Sequence, residues 1–193
     1  MDRAFDPLPI RELGAGAGFR RPTQPQAVRV SAESPAIEVM TDLARVSPAT
    51  IRPEAPLAGA NQFMITRGVR LLLVVDERDL VVGVITATDL SGERPLQVAA
   101  YRGLRRDDLS VADVMTPAAQ VEAIALAEVE CSRVGHVLET LRRLGRQHAL
   151  VVEAGTVRGI FSLSQIARQL GLTVPTAGEV ARTFAEIEAA LAK

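Results

Sequence analysis

The chain contains two copies of one sequence unit, and this repetition restricts its possible folds more than any other feature. Ile37–Thr41 (IEVMT) returns 75 residues later as Ala112–Thr116 (ADVMT), and Gly83–Thr86 (GVIT) returns 76 residues later as Gly159–Ser162 (GIFS). Offsets that differ by so little indicate duplication. A period of about 76 residues is too long for a solenoid repeat, so two copies predict a pseudo-symmetric pair of units.

Both copies have the same predicted order of elements. Each begins with a short strand, near 49–51 and 121–126, and continues with a helix whose apolar residues recur every three or four positions, over 57–67 and 134–144. A hairpin follows in each copy, over 70–86 and 148–162, and a last helix starts near 88–89 and near 164–165. The sequence therefore predicts an α/β fold built from two β-α-β-β-α units.

These elements divide the chain into four parts. We expect a leader containing Pro and Gly at 1–33, the first unit at 34–104, the second at 105–172 and an added helix at 173–193. The leader is interpreted as flexible or loosely docked, with a strap on a partner subunit as the alternative. The added helix carries an apolar stripe that can pack on its own domain or on a partner, and Met40 and Met115 are expected in the core.

Composition argues against several functions. A net charge of −1 provides no general attraction to nucleic acids, and the longest aliphatic run, Leu71–Val75, is far shorter than a membrane span. Cys131 is the only cysteine, and His136 and His148 have no third residue at metal-ligand spacing. No paired nucleophile and base is visible. We therefore expect a soluble cytoplasmic protein that is not an enzyme and holds no metal.

The segment Gly83–Leu90 (GVITATDL), preceded by Gly68–Arg70 and Val74–Asp76, resembles the cystathionine β-synthase (CBS) domain. Two such units in tandem, over about 34–172, resemble a CBS pair, or Bateman module. The resemblance implies two units packed sheet to sheet, with two clefts that bind AMP, ADP, ATP or S-adenosylmethionine. It also implies a homodimer of pairs and a regulatory role, which leaves room for a regulated protein partner.

Thr86 and Asp89 are the first candidates for the ligand site. Thr86 ends a predicted strand, and Asp89 lies three residues later in the first turn of a helix, so their polar groups can project to the same side. A carboxylate there can accept hydrogen bonds from both hydroxyls of a ribose. Thr88 completes this local set. The alternative is that Thr86 and Asp89 only form a capping box at the helix start.

Phosphate and adenine contacts are expected from further residues. Arg70 starts the strand beside that of Thr86, and its guanidinium has the fork geometry that suits a phosphate. The resemblance implies that phosphate contacts also come from the other unit, where Arg146 and His148 are the candidates. Adenine is expected against the backbone near Ala49 and Ile51.

The second copy departs from this pattern, because Gln165 stands where the carboxylate is expected. Ser162 and Gln165 match a capping box, so we expect a helix cap there and an empty or altered cleft. The sequence thus predicts a regulatory module that binds an adenosyl compound in one cleft. The alternative is a ligand-free scaffold for dimerisation or protein interaction, in which both motifs are caps.

Overall fold

The computed structural model describes residues 30–171 and residue 187. Eight strands occur in this part of the chain: β1 Thr41–Asp42, β2 Thr50–Ile51, β3 Leu71–Val75, β4 Val81–Thr86, β5 Thr116–Pro117, β6 Ala123–Ala125, β7 His148–Glu153 and β8 Thr156–Ser162. The α-helices are α1 Leu57–Arg67, α2 Ala87–Ser91, α3 Arg94–Arg102, α4 Val111–Val114, α5 Leu126–Glu130, α6 Val134–Leu144 and α7 Leu163–Gln169. Single 3-10 turns lie at Ala36–Val39, Arg106–Asp108 and Ala118–Gln120.

The strands form two four-stranded sheets, with the orders β2-β3-β4-β5 and β1-β8-β7-β6. In each sheet a short strand runs parallel to the first strand of a hairpin, and the hairpin strands are antiparallel. The predicted α/β fold of two repeated units is confirmed. Helix α3 was not predicted, although a proline at its start and Gly103 in the left-handed conformation at its end are the usual signals.

The connector that leads into each unit packs on the sheet of the other unit. Strand β1 pairs with β8, and β5 pairs with β4. Met115 packs against the core of the first unit and Met40 is buried in that of the second, as expected. A Cβ at Gly83 would lie 2.6 Å from the Thr116 carbonyl oxygen and 2.8 Å from Met115 Sδ, and Gly159 lies under Met40 in the same way. The repeated glycine therefore makes room for the crossing connector.

The longest aliphatic run, Leu71–Val75, forms strand β3, which is buried on both faces. Leu72 and Val74 belong to the apolar core between the first sheet and its helices. Leu71, Leu73 and Val75 point the other way and pack with Leu150 of β7 in the core between the two sheets. Because successive side chains of a strand face opposite sides, a strand buried on both faces must be apolar throughout.

The two ends of the chain are described in part. Val30 is buried in the core of the second unit, while residues 1–29 of the predicted leader lie outside the described residues. Ile187 is helical and is buried in the same core, and the other residues of the predicted 173–193 helix lie outside the described part. No helix among the described residues is long and apolar enough to cross a membrane.

Candidate functional site

A cavity of about 260 Å³, here called the first cleft, lies between the two units. Helix α2 and the end of β4 contribute one side, and the segment before β7 contributes the other. Five predicted site residues line it together: Thr86, Thr88, Asp89, Arg146 and His148. The cleft also contains Thr116, Val121, Glu122 and Gln147, which the sequence analysis did not select.

Thr86 and Asp89 form a complete capping box at the start of α2. The Thr86 backbone N–H and Oγ1 donate to Asp89 Oδ2 over 2.8 and 2.7 Å, and Asp89 N–H donates to Thr86 Oγ1 over 3.2 Å. These bonds orient the carboxylate, because Oδ2 is fixed by two donors. The other oxygen, Oδ1, takes no part in the cap, so capping leaves an acceptor for a ligand.

Arg94, which the sequence analysis did not select, lies beside the Asp89 carboxylate. Its NH1 lies 3.8 Å from Asp89 Oδ1, and its NH2 donates to the Met115 carbonyl oxygen over 2.9 Å. Arg94 therefore joins the carboxylate of the first cleft to the connector that enters the second unit. The sequence signal that could have placed Arg94 at a helix start is Pro95, which lies in the first turn of α3.

An ion pair occupies the opposite side of the first cleft. Arg146 NH2 lies 3.2 Å from Glu122 Oε2. Both side chains are partly solvent-exposed, so their attraction is screened and the pair can open at little cost. With Asp89, two carboxylates and one arginine line this cleft.

A second cavity, of about 530 Å³, is here called the second cleft. Arg70 and Ala49 line this cavity and not the first, so the structure does not bring them together with Thr86 and Asp89. Ile51 lines neither cavity and packs against the core of the first unit. The segment before β2 borders the second cleft. It follows β1, and β1 pairs with β8 of the second unit.

The predicted cap at Ser162 and Gln165 is wrong. Helix α7 has no side-chain cap; instead, Ser162 Oγ and Ser164 Oγ share a hydrogen bond of 3.0 Å. Gln165 Oε1 accepts a hydrogen bond of 2.9 Å from Thr41 Oγ1. The crossing connector supplies Thr41, and this long-range partner competes with the local cap for the glutamine.

His148 lines both clefts. Burial lowers the pKa of His148 to about 4, and the nearby Arg70 guanidinium acts in the same direction. The imidazole is therefore neutral near pH 7 and adds no charge to either cleft. Across residues 30–171, no three His, Cys, Asp or Glu side chains are grouped so that they could hold a metal ion.

Comparisons with known proteins agree with this architecture. Residues 27–94 match the family model of the CBS domain. A conserved protein from Pyrococcus horikoshii is 24% identical, with 77% of this chain and all of that chain covered and a TM-score of 0.57. CBSX2, solved in complex with AMP, is 20% identical over 70% of this chain and 94% of its own, with a TM-score of 0.51.

A further solved structure is the CBS domain pair of protein MJ0100 in complex with 5′-methylthioadenosine and S-adenosyl-L-methionine. It is 20% identical over 70% of this chain and 98% of its own, with a TM-score of 0.50. No curated protein matches the chain. Residues 27–94 thus match the CBS domain, and the two units together have the fold of solved CBS-domain structures.

Proposed function

We propose that this chain is a regulatory module that senses an adenosyl compound of the AMP, ADP, ATP or S-adenosylmethionine class in the first cleft. The observation that carries the proposal is the oriented Asp89 carboxylate, which lines a cavity completed by Arg146 of the other unit. The AMP complex of CBSX2 and the adenosyl complexes of MJ0100 support this ligand class.

Different residues of the first cleft bind the ribose, the phosphate and the adenine of the ligand. Asp89 Oδ1 accepts from the ribose hydroxyls, with Thr86 and Thr88 beside it. Arg146 binds a phosphate when Glu122 moves aside. Adenine packs on the apolar part of the lining, which consists of Leu71, Val84, Val121 and Leu150.

Regulation follows from contacts with both units. A ligand held by Asp89 of the first unit and Arg146 of the second favours the arrangement in which both reach it. It shifts the population only to the extent that its affinities for the two arrangements differ. In this proposal the pairs form homodimers, and the shift is passed to a protein partner.

The capping box makes Asp89→Ala ambiguous by itself, and the chain offers a matched control. Asp113 Oδ2 likewise accepts from the Ser110 N–H and Oγ at the start of α4, and Asp113 lines neither cleft. Both Asp→Ala variants should lose about 1 kcal/mol of cap stability. In thermal-shift assays with AMP, ADP, ATP, NADH and S-adenosylmethionine, wild type and Asp113→Ala should shift alike, whereas Asp89→Ala should lose the shift with S-adenosylmethionine, which carries no phosphate.

Ligand at about 100 times its Kd adds about 2.7 kcal/mol, which corresponds to about 5–10 °C for a chain of this size. The complete cap at Thr86 and the closed Glu122–Arg146 pair favour the alternative, a scaffold without a ligand. A panel in which no compound shifts the wild type would reject the sensing module and leave that alternative.

A further inference from the structure

The two clefts differ in charge. Arg67, Arg70 and Arg168 line the second cleft, and no carboxylate of the described residues lines it. The first cleft has Asp89 and Glu122 against Arg146. Because His148 is neutral near pH 7, it does not alter this difference. The lining of the first cleft thus has one more carboxylate than arginine, which Arg94 beside Asp89 offsets, whereas the lining of the second cleft carries three positive charges.

The three arginines are available to a ligand. Within residues 30–171, none of them forms an ion pair with a carboxylate. Arg67 lies over the ring of Phe63 at 5.7 Å, and Arg168 uses Nε to donate to the Ser164 carbonyl oxygen over 3.3 Å. These contacts leave terminal guanidinium nitrogens for an oxyanion, and guanidinium groups bind phosphate in a bidentate manner.

The neutral polar groups of the second cleft include hydroxyls, which can both donate and accept hydrogen bonds. Hydroxyls of Thr41, Ser47, Ser162 and Ser164 line it. The Thr41 hydroxyl occupies Gln165 Oε1, so the amide nitrogen of Gln165 is the part of this side chain that can donate to a ligand. No carboxylate stands where Asp89 stands in the first cleft. The charged acceptor that recognises a ribose is missing here, and donors suited to oxyanions surround the space.

We propose that the second cleft binds a polyanionic phosphate compound, which it recognises through the phosphate oxygens and not through a ribose. The volume of about 530 Å³ is within the range of small-molecule sites. The two clefts then take chemically different ligands. This inference goes beyond the adenosyl site and does not depend on it, because no residue of the Asp89 motif takes part.

The test is isothermal titration calorimetry of the full chain with tripolyphosphate, and with ATP and adenosine for comparison. Tripolyphosphate and ATP should both bind, and tripolyphosphate should bind more weakly as salt is raised, because salt screens the arginines. The double variant Arg70→Gln/Arg168→Gln should lose about tenfold or more in affinity for tripolyphosphate. Arg78→Gln, in the exposed turn between β3 and β4, removes one positive charge outside both linings and should bind tripolyphosphate as the wild type does.

Three results would overturn the proposal. The first is the absence of tripolyphosphate binding, and the second is binding of ATP alone, which would require the nucleoside. The third is affinity that survives the double variant and is lost in Arg146→Gln, which would place the phosphate in the first cleft. Urea unfolding checks that the double variant is folded. If it is unfolded, the calorimetric test uses the single variant Arg168→Gln, whose side chain is exposed. Asp89→Ala should retain tripolyphosphate binding, so failure of the adenosyl site is seen separately.

Discussion

Leu71 and His148 occupy equivalent positions in the two units, and each lines both clefts. Leu71 lies opposite Thr86 in the first hairpin, and His148 lies opposite Ser162 in the second. The two clefts therefore share a wall formed by the starts of β3 and β7. Since one wall residue is aliphatic and the other titratable, the pseudo-symmetry of the pair is broken where the clefts meet.

The histidine of this wall should make stability depend on pH. Its native pKa of about 4 lies below the value of 6.5 for an unperturbed histidine. Stability from the neutral imidazole is complete above about pH 6.5 and is lost as pH falls towards about 4, by up to about 3 kcal/mol. His148→Leu, which copies Leu71, should lack this component. Urea unfolding between these pH values should give profiles that diverge with acidity; parallel profiles would contradict the assignment.

Gly83→Ala should destabilise the protein by about 1–3 kcal/mol, because the added methyl would press on the Thr116 carbonyl and on Met115. Gly59→Ala is the matched control in helix α1, where the new Cβ would lie at an ordinary 3.4 Å from Pro56 Cγ. That variant should gain up to about 1 kcal/mol from helix propensity. Urea midpoints compare the two, and equal effects would argue against the close approach of the connector.

Arg94→Gln should weaken adenosyl binding in the first cleft several-fold, because Asp89 loses its neighbour and the connector loses a charge-assisted bond to the Met115 carbonyl. Stability should fall by about 1–2 kcal/mol. Arg102→Gln removes an arginine that is hydrogen-bonded to Asp113 away from both clefts and should leave Kd unchanged. Equal ligand affinities of the two variants would show that Arg94 does not position the site.

Glu122→Gln should tighten AMP binding several-fold, since Arg146 is freed from its partner and a negative charge leaves the first cleft. Adenosine, which has no phosphate, should bind as to wild type and is the internal control. Stability should change by less than about 1 kcal/mol, because the pair is partly exposed. If AMP and adenosine gain equally, Arg146 does not contact the phosphate.

Local patterns in the sequence predicted most of the elements. The stripe of apolar residues predicted helix α6 over 134–144, and Gly68 and Gly145 end α1 and α6 in the left-handed conformation that glycine favours. The hairpins followed from aliphatic runs separated by turns. These features depend on neighbours within a few residues, so a single chain segment contains the information.

The composition of the clefts was not open to such reasoning. Arg70 was grouped with Thr86 because their strands are adjacent, yet Arg70 lines the second cleft. Likewise, Ser162 and Gln165 match a local cap, but Gln165 binds Thr41, which is 124 residues away. A local pattern cannot show which long-range partner takes a polar group.

The sequence by itself thus determined the repeated unit and most of its helices and hairpins, because short-range periodicity and hydrogen bonding decide them, and it offered the Thr86–Asp89 cap as one of two interpretations. Only the tertiary structure decided which arginine lines which cleft. The connectors cross between the units, with Asp42 paired to Arg158 and Thr41 to Gln165. That crossing separates residues that are near in sequence and joins residues that are far apart, so the charge of each cleft is a property of the fold.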